Sequence, residues 1–145
     1  MNLTNQQIFD KAVTALLKQN QRSGDPGSYA GCQYRGPNGL KCAVGHLIDD
    51  ACYQPLMEGR SIPSPKALAA HQDTSVRKSL DALMAALACS NIDHASSWEL
   101  LSDLQNTHDT NPIPDWAESF RAIAAKFSLS PEAITTWEAK QKEGA

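Results

Sequence analysis

The chain has 145 residues, 41% hydrophobic and 20% charged, with a formal net charge of −3. That length fits one domain, 1–145, with a hydrophobic core, and the negative charge speaks against direct nucleic-acid binding, which needs a basic surface. No apolar run is long enough to cross a membrane, and the polar start from Met1 to Gln7 lacks the plan of a signal peptide, so a cytoplasmic protein with reduced cysteines is expected.

The first helix is announced by a capping box, Thr4 with Gln7, and by Leu3 and Ile8 as a hydrophobic staple around it. Ile8, Phe9, Ala12, Val13, Leu16 and Leu17 follow as an apolar stripe at helical spacing. The helix fades into Asn20 to Gly24, and Gly24-Asp25-Pro26-Gly27 reads as a loop.

Gly31 to Asp50 is the one stretch that reads as β-structure. Pro37-Asn38-Gly39 is turn chemistry between two short β-prone runs, which predicts a hairpin. A loop of Pro37 to Gly39, with Gly39 as a bulge residue, sets Gly36 opposite Leu40, Arg35 opposite Lys41, Tyr34 opposite Cys42 and Cys32 opposite Val44. In that register Cys32, Tyr34, Cys42 and Val44 share the inward face, and Gln33, Arg35 and Lys41 the outward one. Arg35 against Lys41 puts like charges together, which predicts a carboxylate elsewhere as their partner. Gly45 frees the chain to turn, and His46 to Tyr53 reads as a short helix.

Pro55, Gly59, Pro63 and Pro65 break up the next segment. Ser64 with Pro65 opens a short helix to about Gln72. Asp73 or Thr74 opens a longer one, with Val76, Leu80, Leu83, Met84 and Leu87 inward, ending near Cys89. Ser96 and Glu99 form a second capping box, ahead of a helix with Trp98, Leu101, Leu104 and His108 on one side; Asn111-Pro112 stops it. Pro114 or Asp115 begins a helix that buries Trp116, Phe120, Ile123, Ala124 and Phe127. Ser130-Pro131 opens the last, with Ile134 and Trp137 inward and a tail that frays from Lys140. The expected fold is mainly α with one β-hairpin (α+β), a single-domain bundle of about six helices around residues 31–50.

Several residues carry chemistry. Cys32, Cys42, His46 and Cys52 are zinc-type ligands close in sequence, but no pair has the short Cys-x2-Cys spacing of a zinc knuckle. Cys42 precedes a helical turn that could activate a thiol, with His108 and Asp109 as the base and its orienting group. Against that, Cys42 falls on the inward face, and His108-Asp109 reads equally well as a helix terminus. Asp49 and Asp50 are a divalent-ion candidate, but adjacent carboxylates on a helix diverge around its axis, and facing solvent or pairing with Arg35 or Lys41 reads equally well. Glu58 adds a carboxylate near the hairpin. There is no Gly-rich phosphate loop, no HExxH and no GxSxG.

The motif CQYRGPNGLKCAVGHLIDDACYQPLMEG, followed by LLSDLQNTHD and a Trp116-centred helix, resembles a set of small proteins found in bacterial genomes and prophages. The matching positions are Cys32, Tyr34, Arg35, Cys42 to Gly45, Leu47, Ile48, Asp50, Tyr53, Glu58, Gly59, Leu104, Gln105, His108 and Asp109. His46 stands where the pattern carries other residue types, which bears against a metal or catalytic role for it. The resemblance brings no assigned activity and implies only the kind of genome the chain comes from.

Charge is unevenly spread. Residues 1–80 carry nine Lys/Arg against six Asp/Glu, and residues 81–145 four against ten. Small size, the lack of a catalytic motif and the acidic second half predict a soluble non-enzymatic protein that binds and inhibits or neutralises a macromolecular partner. An immunity protein or phage-type inhibitor facing a basic toxin or nuclease is the model. The contact residues expected are Glu99, Asp103, Asp115 and Glu118, with Trp98, Trp116 or Trp137 as an aromatic anchor if one is exposed. A second reading is an enzyme or small-molecule binder with a pocket lined by Tyr34, Arg35, Asp50, Tyr53, Glu58, His108 and Asp109. A third is a zinc-stabilised module using Cys32, Cys42, His46 and Cys52. On the first reading no cofactor is expected.

Overall fold

The structure is a computed structural model that describes residues 1–24 and 33–144. Seven α-helices run through them: α1 (Asn5–Gln19), α2 (Ala43–Leu47), α3 (Pro65–Ala70), α4 (Thr74–Cys89), α5 (His94–Thr110), α6 (Trp116–Lys126) and α7 (Glu132–Glu143). Short 3-10 turns lie at Pro37–Gly39, Asp50–Cys52, Pro55–Met57 and Ile113–Asp115.

The predicted hairpin does not form. Among the described residues there is no strand or sheet, and the α+β class gives way to a helical bundle. What remains is one antiparallel bridge, Arg35 with Lys41, beside a Gly36 N–H that donates to the Leu40 carbonyl at 2.8 Å. The turn between them puts both Asn38 (φ 59°) and Gly39 (φ 78°) in the left-handed region. Asn and Gly tolerate that region best.

Side chains take the hydrogen bonds that a ladder would need. The Glu58 carboxylate accepts the N–H groups of Tyr34 and Arg35. The Gln19 amide accepts the Lys41 N–H and donates to the Lys41 carbonyl. Cys42 then caps α2, so the returning chain turns helical at Ala43 instead of extending. Gly45 lets α2 press on the backbone of residue 34: a Cβ there would stand 2.0 Å from the Tyr34 carbonyl oxygen. The inward–outward sorting survives without the sheet, with Tyr34, Cys42 and Val44 buried, Gln33 exposed and Arg35 and Lys41 half-buried. The expected Cys32–Val44 pairing lies outside the described residues.

Helix ends follow local chemistry with three corrections. The Thr4–Gln7 box caps α1, Ser64 caps α3 and Asp73 caps α4. The helix α5 starts earlier than the Ser96–Glu99 box implied, because the Ser96 hydroxyl donates back to Asp93 instead of receiving an N–H. The predicted helix from His46 to Tyr53 is displaced to Ala43–Leu47, and a 3-10 turn at Asp50–Cys52 follows it. The last helix continues past Lys140 to Glu143.

One cluster of buried side chains unites the bundle, and Phe9, Leu16, Leu47, Leu83, Leu101, Trp116, Phe120 and Ile134 in it all have 0% exposure. The expectation of four reduced cysteines is also corrected. Cys52 and Cys89 are disulfide-bonded, with S–S 1.99 Å and Cα–Cα 5.8 Å. The 3-10 turn bearing Cys52 is held against the end of α4, where the Asp49 N–H donates to the Ser90 hydroxyl at 3.0 Å. That meeting across 37 residues left no trace in the local sequence.

Candidate functional site

Five of the seven pocket residues gather beside the Arg35–Lys41 bridge. Glu58 lies at their centre: one carboxylate oxygen accepts the Tyr34 N–H at 2.9 Å, and the other accepts the Arg35 N–H at 3.0 Å and the Tyr53 hydroxyl at 2.7 Å. The Arg35 guanidinium donates to Asp50 and, at 2.6 Å, to the Ile48 carbonyl. It also lies 5.0 Å from the Tyr53 ring centre, in cation–π range. Lys41 stands 3.7 Å from the same Asp50 carboxylate, which is the shared partner expected for the two cations. The Arg35 hydrogen bond and the Lys41 charge hold the Asp50 carboxyl below its usual range.

The two tyrosines are locked as neutral phenols. Burial and the bond to Glu58 push the Tyr53 hydroxyl up to about 12. Burial raises that of Tyr34 further, and its hydroxyl donates to the Arg60 carbonyl. The result is a brace that ties residues 34–35 to the 48–60 segment. Both Glu58 oxygens and the two Arg35 terminal nitrogens are engaged within it, while the buried Arg35 Nε has no partner among the described residues.

His108 and Asp109 form a separate clamp at the end of α5. The His108 side chain is fully buried. Its Nδ1 lies 2.7 Å from the Asp109 carboxylate, and its Nε2 accepts the Ser23 N–H at 3.2 Å. Those partners fix the tautomer, with the proton on Nδ1 and donated to Asp109. Asp109 also accepts from the Gln105 amide at 3.0 Å, and Gln105 accepts the Val44 N–H at 3.1 Å. Arg22 donates to the carbonyls of His108 and Asn111. The clamp therefore fastens residues 22–23 and the start of α2 to α5.

The thiol chemistry is closed in the same way. Cys42 is buried, accepts the Gly45 N–H at 3.4 Å, and has its thiol pushed up to about 12, chiefly by burial. A thiol there stays protonated at neutral pH and is a poor nucleophile. The zinc-type set is dispersed into other bonds. The His46 ring lies 2.9 Å from the Gln19 amide oxygen, and burial with the Lys41 charge lowers its pKa to about 4. Cys52 has its sulfur bonded to Cys89, and Cys32 lies outside the described residues. Among the described residues no three His, Cys, Asp or Glu side chains gather as a metal-binding group.

The acidic candidates lie on α5, α6 and the turn between them. Glu99 and Asp103 flank Lys126 at 3.3 and 2.8 Å. Glu118 pairs with Arg121 at 2.8 Å, and Arg121 also reaches Glu138. Asp115 is exposed and belongs to no ion pair among the described residues. Trp116 is corrected from a candidate anchor to a core residue: it has 0% exposure, packs 5.6 Å from the His108 ring and donates its indole N–H to the Asn111 carbonyl at 3.2 Å.

Three structural residues escaped the sequence reading as site members: Gln19, Ser23 and Gln105. Gln105 had a readable signal, since it sits four residues before Asp109 on one helix face, a spacing at which amide and carboxylate meet. Gln19 and Ser23 act across the fold and had none. Among the described residues no helix is long and apolar enough to cross a membrane. Comparison with protein-family models, curated proteins and solved structures found no match to this chain.

Proposed function

We propose that this protein is a binding partner of a basic macromolecule, of the immunity-protein or inhibitor type, and engages it through the acidic surface of α5 and α6. The observation that carries this reading is the closed bonding around Glu58 and His108. The His108, Asp109 and Glu58 side chains are committed to holding the fold, while Glu99 on α5, Glu118 on α6 and Asp115 between them are exposed. Residues 93–126 carry six Asp/Glu against two Lys/Arg, and Glu118 and Glu99 side chains are 80% and 53% exposed. Such a surface speeds the encounter with a basic protein and sharpens its selectivity. Trp116 takes no part in the contact; the surface is polar, and its carboxylates carry the recognition.

The test uses the full chain as bait in extract from the organism that encodes it, at low and high salt. A variant carrying Asp115→Lys and Glu118→Lys serves as control. The expected result is a basic protein retained at low salt, released at high salt and lost with the variant. Equal recovery by both baits would overturn the acidic-surface reading.

A further inference from the structure

A groove with a volume of about 730 Å3 runs between α1 and α7, and none of the α5–α6 carboxylates lines it. The two helices run parallel along it. The Gln6 amide donates to the Ser130 carbonyl at 3.1 Å and accepts the Ser130 N–H at 2.8 Å, which places the start of α1 beside the start of α7. Lys18 and Lys140, late in their helices, line the same groove.

Each helix presents the same order of side chains to it: Asp10, Thr14 and Lys18 from α1, and Glu132, Thr136 and Lys140 from α7. A spacing of four residues keeps each trio on one side of its helix. The groove is therefore electrically polar along its length. Two carboxylates mark one end, two ammonium groups mark the other, and hydroxyls lie between. At 1.5 Å of rise per residue, acid and base on each helix are separated by about 12 Å. Too far apart to pair with each other, Lys18, Glu132 and Lys140 also belong to no other ion pair among the described residues. Asp10 is steered by the Gln6 amide at 2.9 Å. Leu17 and the half-buried Trp137 add apolar lining towards the basic end.

We propose that this groove binds a short free peptide of three or four residues in extended form. Its amino terminus lies between Asp10 and Glu132, and its terminal carboxylate between Lys18 and Lys140. An extended chain advances about 3.3–3.6 Å per residue, so a tetrapeptide spans the 12 Å between the charged ends and a dipeptide does not. The volume lies within the usual range of small-ligand sites, roughly 300–1,000 Å3. The Thr14 and Thr136 hydroxyls offer bonds to the peptide backbone, and Leu17 with Trp137 favours an apolar side chain near the carboxyl end. This site is independent of the acidic-surface reading and stands or falls separately from it.

The experiment titrates the full chain with the tetrapeptide Ala-Ala-Leu-Ala, followed by backbone-amide NMR shifts and Trp fluorescence. Binding is expected to shift signals of α1 and α7 selectively. Acetylating the amino terminus or amidating the carboxyl terminus should each weaken binding about tenfold, close to 1.4 kcal/mol. The dipeptide Ala-Leu should be weaker than the tetrapeptide, and K18Q/K140Q should lose the preference for a free carboxylate while keeping its helical circular dichroism. The blocked peptides test the idea on the unaltered chain, should the variant fail to fold. No binding of the free tetrapeptide at millimolar concentration, or equal binding of free and blocked forms, overturns the proposal. A concentration-dependent dimer that occupies the groove, seen by sedimentation and abolished by K18Q/K140Q, overturns it in favour of a second copy of the chain.

Discussion

Glu58 shows how one side chain can replace a strand. Its carboxylate receives two backbone N–H groups and the Tyr53 hydroxyl, and charge-assisted bonds of this kind contribute about 1.5–3 kcal/mol each. Glu58→Gln swaps one acceptor oxygen for an amide that faces donors. It should lower unfolding free energy by about 2–3 kcal/mol, read from urea denaturation with an unchanged m value. A loss below 0.5 kcal/mol would sink the brace as described. His46 supplies the pH dependence. Its pKa in the fold is lowered to about 4 from 6.5, chiefly by burial. The unfolded chain therefore takes up the proton first as pH falls, and the stability that His46 contributes is present above about pH 6.5 and is lost on the way down to about 4. Denaturation midpoints should fall across that window, and His46→Gln should flatten the fall. A midpoint that drops equally in both proteins would assign the effect elsewhere.

At the scale of elements, two contacts hold the central segment onto the helices. The first is the seat of α2 on the Tyr34 backbone, which tolerates no side chain at position 45. Gly45→Ala forces backbone apart from backbone and should cost about 3 kcal/mol, the upper end for an overpacked interior. Thermal unfolding followed by circular dichroism reads this, and a midpoint within a degree of the parent's would contradict the close approach. The second is the Cys52–Cys89 bond, which joins a 3-10 turn to the last turn of α4 across 37 residues. Closing a loop of that size stabilises by about 3–4 kcal/mol through the unfolded chain. Cys89→Ser should show that loss in non-reducing denaturation, and reductant should lower the parent to the same level and leave the variant unmoved. Peptide mapping that finds Cys52 and Cys89 unlinked would remove the bond from the account.

On the scale of the whole molecule, the two sequence halves differ in charge, and the acidic one builds the surface proposed for binding. Reversing Asp115 and Glu118 should leave stability within about 0.5 kcal/mol, as exposed substitutions do, while abolishing capture of the basic partner. A large stability loss would mean those carboxylates serve the fold. Most helices could be read in advance because their signals are local: Thr4 with Gln7, Ser64 with Pro65, Asp73, and apolar stripes every three or four residues. The burial of Tyr34, Cys42 and Val44 was legible too, since their alternation with Gln33, Arg35 and Lys41 marks one inward face whatever the backbone does. The hairpin was misread because strand formation depends on which partner takes each N–H, and Glu58 and Gln19 reach residues 34–35 and 41 only once the chain is folded. The site divided for the same reason: Tyr34, Arg35, Asp50, Tyr53 and Glu58 met as expected, whereas His108 and Asp109 were drawn to Ser23 and Gln105. By itself, then, the sequence determined where α1, α3 and α4 begin, which faces turn inward and how charge is shared between the halves, because those depend on residues a turn or two apart. The tertiary structure alone decided the disulfide, the burial of Trp116 beside His108 and the closing of the polar network, because each depends on groups far apart in the chain that only packing brings within reach.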